Sequence, residues 1–164
     1  FGDTFVVPEP YIPNVGASVK SLQEPTKKMS KSDENANATI FILDDKDTII
    51  RKFKRAVTDS DTEIRYAEGK DGINNLITIY SCVTGKTTSE IESEFAGKGY
   101  GDFKLAVGEA VADHLEPVRT EFARLMGDKA YLKECYTAGA QRAFRITNKI
   151  VTKVYRKVGF VDYR

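Results

Sequence analysis

Residues Tyr100 to Gly127 read YGDFKLAVGEAVADHLEPVRTEFARLMG. Tyr100, Phe103, Val107, Val111, Leu115, Val118, Phe122 and Leu125 recur there at steps of three and four, which lays one apolar stripe along a helix. Pro117 falls inside the stripe. A proline lacks an N–H and its ring crowds the preceding turn, so the helix is expected to kink or to divide in two there. Gly127 ends it. Working outward, Leu132, Tyr136, Gly139, Ala143, Ile146, Ile150, Val154 and Val158 form a second stripe that stops at Gly159. The connection between the two is short, so the helices are expected to pack as antiparallel neighbours.

Upstream the same period recurs in shorter runs. Ile49, Ile50, Phe53 and Val57 follow Asp44 or Asp45, either of which can cap a helix. Asp45 and Asp47 lie near the positive end of that helix, and Arg51, Lys52, Lys54 and Arg55 lie toward its negative end, as the dipole favours. Ile73, Leu76, Ile77, Tyr80 and Val83 form another helix, stopped by Gly85, and a third begins around Thr88 to Glu90, carries Ile91 and Phe95, and ends at Gly97. Residues 1–32 contain Pro8, Pro10, Pro13 and Pro25 and no helical period. Thr4 to Val7, Ala17 to Leu22 and Thr39 to Leu43 read as short strands. The expected fold is mainly α: a helical bundle preceded by a short strand and loop segment.

Composition narrows the function. With 164 residues, 41% of them hydrophobic and 30% charged, the chain can bury a core and is not globally disordered. A formal net charge of +1 excludes a uniformly basic nucleic-acid coat, so anion binding must come from local patches. Cys82, Cys135 and the single His114 match no zinc spacing and no disulfide framework. Both cysteines are expected as small buried groups of a cytoplasmic protein. His114 is expected in a helix core or on a helix surface with no chemistry. No apolar run approaches a membrane span, and no signal-peptide pattern is present.

The local patch is Lys28-Met29-Ser30-Lys31-Ser32. Two lysines three apart, two small hydroxyls and exposed backbone on a loop suit a polyphosphate, whose dispersed charge calls for cations more than for a base. Such a pentamer arises by chance in fewer than about one chain in a thousand of this size. If the loop binds ATP, a carboxylate attacking the α-phosphorus is already an adequate nucleophile near neutral pH. Catalysis then reduces to positioning and to neutralising the leaving pyrophosphate, a task for ammonium groups on long stems.

The pentamer is identified as the second signature of the class I aminoacyl-tRNA synthetases, and its setting resembles the bacterial tryptophanyl-tRNA synthetases. The resemblance is carried by Pro8-Glu9, Ile12-Pro13, Pro25 to Asp33, Leu43-Asp44-Asp45, Ala56 to Ser60, Ile64-Arg65-Tyr66, Asn75-Leu76, Ile79-Tyr80-Ser81 and Gly97 to Gly101. It spans essentially the whole chain; the stretch from Gly97 to Phe103 favours the tryptophanyl over the related tyrosyl branch. One departure is Glu34, where the family often has proline after the aspartate.

The resemblance implies ATP-dependent activation of tryptophan and its transfer to tRNA-Trp. Lys28 and Lys31 take the catalytic role, and Val19, Lys28, Met29, Ser30, Lys31 and Ser32 bind ATP. Magnesium accompanies the nucleotide with no dedicated protein metal site. The full-length family forms homodimers. The family's Rossmann half, with its histidine-containing first signature and the tryptophan pocket, has no counterpart here, so the expected division is 1–38 as a remnant of the catalytic domain and 39–164 as the helical, anticodon-side region. A fragment of this kind is expected to be inactive alone; the alternative is a stand-alone tRNA- or partner-binding module.

The last helix also carries Arg142, Arg145, Lys149, Lys153, Arg156 and Lys157 with no acidic residue between them. This basic face has three readings: a solvated face, a phosphate-contacting surface for tRNA in which Arg142, Arg145 and Lys149 lead, or a surface that packs on the missing half. Lys98, between Gly97 and Gly99, is a further candidate for tRNA contact.

Overall fold

The computed structural model describes residues 1–13 and 16–161. Among the described residues there are five helices: α1 (Lys46–Lys54), α2 (Asp71–Thr84), α3 (Thr88–Glu94), α4 (Tyr100–Gly127) and α5 (Lys129–Val158). The chain falls into two compact units, Ile12–Thr120 and Phe1–Tyr11 together with Glu121–Arg164.

In the larger unit the helix starts and stops follow local chemistry. Asp45 caps α1 by accepting from the Thr48 N–H at 2.7 Å. Thr87 and Glu90 form a capping box at the start of α3. Gly85 ends α2 at φ 74°, a left-handed conformation that a side chain disfavours. Arg55 ends α1, two residues short of Val57, and the chain then turns so that the Val57 N–H donates to the Leu22 carbonyl at 2.7 Å.

The apolar faces of these helices meet in one core. It contains Ile49 and Phe53 from α1, Ile73, Leu76 and Ile77 from α2, Ile91 from α3, and Phe103, Val107 and Val111 from α4, together with Leu22. Tyr80, Phe95 and Phe103 pack edge to face with ring centroids 4.8 to 6.0 Å apart, an arrangement that aromatic quadrupoles favour. Two glycines permit close approach. A Cβ on Gly72 would lie 2.3 Å from the Val57 carbonyl oxygen, and one on Gly108 would meet the Ile50 Cα at 3.0 Å.

Pro117 does not divide α4, which runs unbroken from Tyr100 to Gly127. Arg119 explains part of this tolerance. Its guanidinium donates to the Ala112 carbonyl at 2.8 Å and to Glu116, which ties together the turn that precedes the proline.

The three expected strands do not form. Among the described residues there is no strand, only an isolated antiparallel bridge between Lys20 and Lys28. Alternating β-branched residues favour extended backbone, but a strand also needs a ladder partner. Here Lys20 finds a side chain instead: its N–H donates to Asn75 Oδ1 and its carbonyl accepts from Asn75 Nδ2, both at 2.9 Å.

In the other unit, Asp128 caps α5 through the Tyr131 N–H, and Gly159 closes it at φ 83°. Lys157 Nζ donates to the Asp3 carbonyl at 2.6 Å. The packed stripe expected of this helix is absent, because α5 buries none of its residues. Tyr136, Phe144, Ile146 and Ile150 are exposed. Periodicity selects a face but not the surface that covers it.

The cysteines also depart from expectation. Cys82 and Cys135 are both exposed, one on the outer side of α2 and the other on the uncovered α5. His114 lies on the surface of α4.

Gly72→Ala is expected to destabilise the chain by about 1–3 kcal/mol, because its methyl would press on backbone that cannot swing aside. Gly101→Ala, at an open position of α4, should be neutral or slightly stabilising. Urea unfolding of the two variants measures the contrast.

Candidate functional site

The segment 19–44 has little regular structure, so its backbone groups must be satisfied one at a time. On the entry side, Met29 N–H donates to the Val19 carbonyl at 3.0 Å and Ser21 N–H to the Lys27 carbonyl at 2.9 Å. Val19 and Met29 are half-buried and pack against the core. Beyond the turn, Ala38 N–H donates to Asn35 and Leu22 N–H to Ala38, which closes the loop onto its own entry. Asp33 and Asn35 each accept from the N–H two residues on, at 2.9 and 3.0 Å, local turns that Asx side chains favour.

The pentamer sits between these stems. Ser30 and Ser32 hydroxyls lie 3.0 Å apart, and the Ser30 carbonyl accepts from Thr39 Oγ1 at 2.6 Å. Lys28, Ser30, Lys31 and Ser32 are exposed, and Met29 beneath them is half-buried. Glu24 pairs with Lys27 and raises the pKa of that ammonium. Among the described residues no carboxylate pairs with Lys28 or Lys31. The turn therefore presents two uncompensated cations and two hydroxyls on a backbone held at both ends.

A second polar cluster lies between the 58–70 segment and α4. Lys70 Nζ donates to Asp61 at 2.6 Å, to the Glu63 carbonyl at 3.1 Å and to the Tyr100 hydroxyl at 3.0 Å. The Tyr100 hydroxyl in turn donates to Asp59 Oδ1 at 2.7 Å. Burial pushes the Asp59 carboxyl up, but the Tyr100 hydroxyl, the Asp61 N–H and Lys70 together hold it below its ordinary value. The Lys70 hydrogen bond brings Asp61 down to about 2. Hydrogen bonds that Lys70 donates to Asp61 and Tyr100 raise its own value, and burial raises Tyr100. Tyr100 joins packing to this network through its hydroxyl, while Phe103 lies in the core.

Beside the cluster is a cleft of about 440 Å³ lined by Thr62 to Arg65, Glu92 and Phe95 to Gly99. Lys98 stands on its rim, exposed, with Nζ 4.8 Å from the centre of the Phe95 ring. Arg142, Arg145 and Lys149 are exposed on α5 beside the apolar residues Ile146 and Ile150. The larger unit brings Val19 together with the pentamer; Lys98 borders a different site, and the α5 cations belong to the other unit.

A family model described as tRNA synthetases class I (W and Y) matches residues 1–116. The chain belongs to that family. It is 46% identical over 161 residues to a tryptophan–tRNA ligase of Clostridium acetobutylicum, covering 98% of this chain and 48% of the relative. A tryptophan–tRNA ligase of Clostridium tetani is 47% identical with the same coverage. The solved tryptophanyl-tRNA synthetase of Mycoplasma pneumoniae superposes with a TM-score of 0.76 at 29% identity, over 89% of this chain and 46% of that one. The enzyme of Campylobacter jejuni, solved with ADP and tryptophan, gives 0.68 at 27%, over 96% and 48%. The chain spans about half the length of the curated relatives it matches.

Two residues of this class I synthetase chain escaped the sequence reading. Thr39 and Lys52 are 5% and 4% exposed; Thr39 donates to the Ser30 carbonyl of the pentamer, and Lys52 donates to the Thr39 carbonyl behind it. Thr39 falls in an expected strand, and Lys52 among the cations expected toward the negative end of a helix. The available signal was position: Lys52 lies three residues after Ile49 and next to Phe53, on the buried side of α1.

The depressed Asp61 carboxyl has a consequence for acid stability. A group whose folded pKa lies below its unfolded value stabilises the fold above the unfolded value, and that contribution fades as pH falls through the folded one. Asp61→Asn should therefore lower the urea midpoint at pH 6, and the difference from the parent chain should shrink between about pH 4 and pH 2. A difference that stays constant over that range would show that the Asp61–Lys70 pair is not linked to folding.

Proposed function

We propose that this chain supplies the signature-loop and anticodon-side part of an ATP-dependent tryptophan–tRNA ligase. The observation that carries the reading is the pair of exposed ammonium groups of Lys28 and Lys31, with no carboxylate partner among the described residues, on a turn fixed at both stems. In the reaction the tryptophan carboxylate attacks the α-phosphorus of ATP. An acyl–phosphate bond forms, and pyrophosphate leaves with the electron pair of the bond that breaks. The nucleophile is already ionised near neutral pH, so this chain need supply no base. It supplies positioning and charge neutralisation.

Lys28 and Lys31 are the catalytic residues, placed to follow negative charge as it builds on the departing diphosphate. Val19, Met29, Ser30 and Ser32, with backbone amides of the turn, hold the nucleotide. Magnesium arrives on the ATP phosphates, a mode that needs few protein ligands. The tryptophan pocket and the Rossmann half belong to the other part of the full-length ligase. Residues 1–38 act as the edge of its catalytic domain and 39–164 as the helical region toward the anticodon. The full-length protein is a cytoplasmic homodimer. Among the described residues no helix is long and apolar enough to cross a membrane.

Pyrophosphate exchange tests the proposal. In a full-length synthetase carrying this chain, Lys28→Ala or Lys31→Ala should each cost about 3–4 kcal/mol in the chemical step, a hundredfold or more in kcat. The chain by itself should show no exchange with tryptophan. Undiminished exchange in both variants would overturn the reading.

The exposed cations of α5 support a tRNA-facing surface led by Arg142, Arg145 and Lys149, with Lys98 as a separate contact. Phosphate contacts release counterions, so tRNA affinity should fall steeply with salt. Replacing Arg145 and Lys149 together should reduce the slope of log affinity against log salt by about two. An unchanged slope would assign these residues to an ordinary solvated face.

A further inference from the structure

We infer that Lys52 is a positioning residue for the signature loop, acting through Thr39 on Ser30. Lys52 lies on α1, 22 residues beyond the centre of the pentamer, and is 4% exposed. Its Nζ donates to the Thr39 carbonyl at 2.9 Å, pairs with Asp44 at 2.6 Å and lies 4.8 Å from the centre of the Phe41 ring. Thr39, itself 5% exposed, donates its hydroxyl to the Ser30 carbonyl at 2.6 Å. One unbroken polar path therefore runs from a helix of the core to the middle residue of the loop.

The chemistry of the path argues for geometry over bulk stability. A buried ammonium loses its hydration, and a single carboxylate recovers only part of that loss. An apolar side chain of similar length would fill the same space without that penalty, but it would leave Asp44 with only the Phe41 N–H as a donor. What it could not do is donate to the Thr39 carbonyl. That bond fixes the peptide plane that follows Thr39, and so the backbone from which the hydroxyl holding Ser30 is presented. Ser30 lies between Lys28 and Lys31, so the carbonyl it presents to Thr39 helps set where the stems of both lysines leave the backbone.

The inference rests on the reading of Lys28 and Lys31 as the groups that meet the leaving pyrophosphate, and its test separates the two. In a full-length synthetase carrying this chain, Lys52→Met should leave KM for ATP and tryptophan within about twofold. It should lower kcat of pyrophosphate exchange by about tenfold to a hundredfold, as small displacements of catalytic groups do. Thr39→Val removes the same path one step closer to the loop without disturbing the buried charge. It should give a similar loss of kcat, and the double variant should lose no more than the larger single loss.

Unfolding midpoints measured on the same variants distinguish a merely structural role. A lowered midpoint with unchanged kcat in both Lys52→Met and Thr39→Val would overturn the inference, and so would fully additive losses. If Lys28→Ala and Lys31→Ala leave exchange intact in that protein, the parent reading fails first. If those two abolish exchange while Lys52→Met and Thr39→Val do not change it, only the positioning role fails.

Discussion

The larger unit depends on how a segment with neither helix nor sheet satisfies its backbone polar groups inside a helical core. A buried peptide group without a partner costs about as much as a lost hydrogen bond, commonly 1–3 kcal/mol. Asn75, 5% exposed on α2, answers both polar groups of Lys20 with one side-chain amide. Leu22 is 1% exposed, yet its N–H meets Ala38 and its carbonyl meets Val57. Thr39 and Lys52 complete the same task on the far side of the loop. Buried polar side chains thus replace the missing strand partners, and the apolar side chains of the segment can then join the core that α1 to α4 enclose.

That arrangement explains which parts of the fold were legible in the sequence. Helices announce themselves through a period of 3.6 and through caps, and both signals are local. Asp45 as one of two candidate caps of α1 and Gly85 as the stop of α2 needed no knowledge of the rest of the chain. The segment before α1 carried the opposite problem. Ala17 to Leu22 has the composition of a strand, but its partner is an asparagine 55 residues away from Lys20. No alternation pattern encodes such a pairing. Cys82, Cys135 and the apolar stripe of α5 illustrate the same limit: a side chain's type gives its preference for burial, not whether anything is there to bury it.

The candidate site divides along the same line. The pentamer stands out in the sequence because residue types at fixed spacing suggest a chemistry, two lysines for a polyanion and small hydroxyls for its oxygens, and the proposed function rests on that suggestion. Thr39 and Lys52 were not, because each works through a backbone carbonyl and could belong to many structures. Lys52 was especially well hidden among Arg51, Lys54 and Arg55, three exposed cations that do what the helix dipole suggests. Only its register against Ile49 and Phe53 sets it apart. A lysine on the buried side of an amphipathic helix marks a place where the core needs a donor.

The contrast among the three lysines of the loop connects the fold to the proposed chemistry. Lys27 is neutralised by Glu24 at the point where the chain enters the turn. Lys28 and Lys31 stand one and four residues on, exposed and with no carboxylate partner among the described residues. An ammonium already paired would have to break that pairing before it could meet a phosphate, and the free energy of the pair would be subtracted from any stabilisation of the leaving group. Unpaired cations on long stems keep that interaction for the transition state, and the fixed backbone beneath them limits the entropy lost when they close on it. Stems held by Val19, Ser21 and Thr39, with tips left free, give a division of labour that follows from where the hydrogen bonds are made.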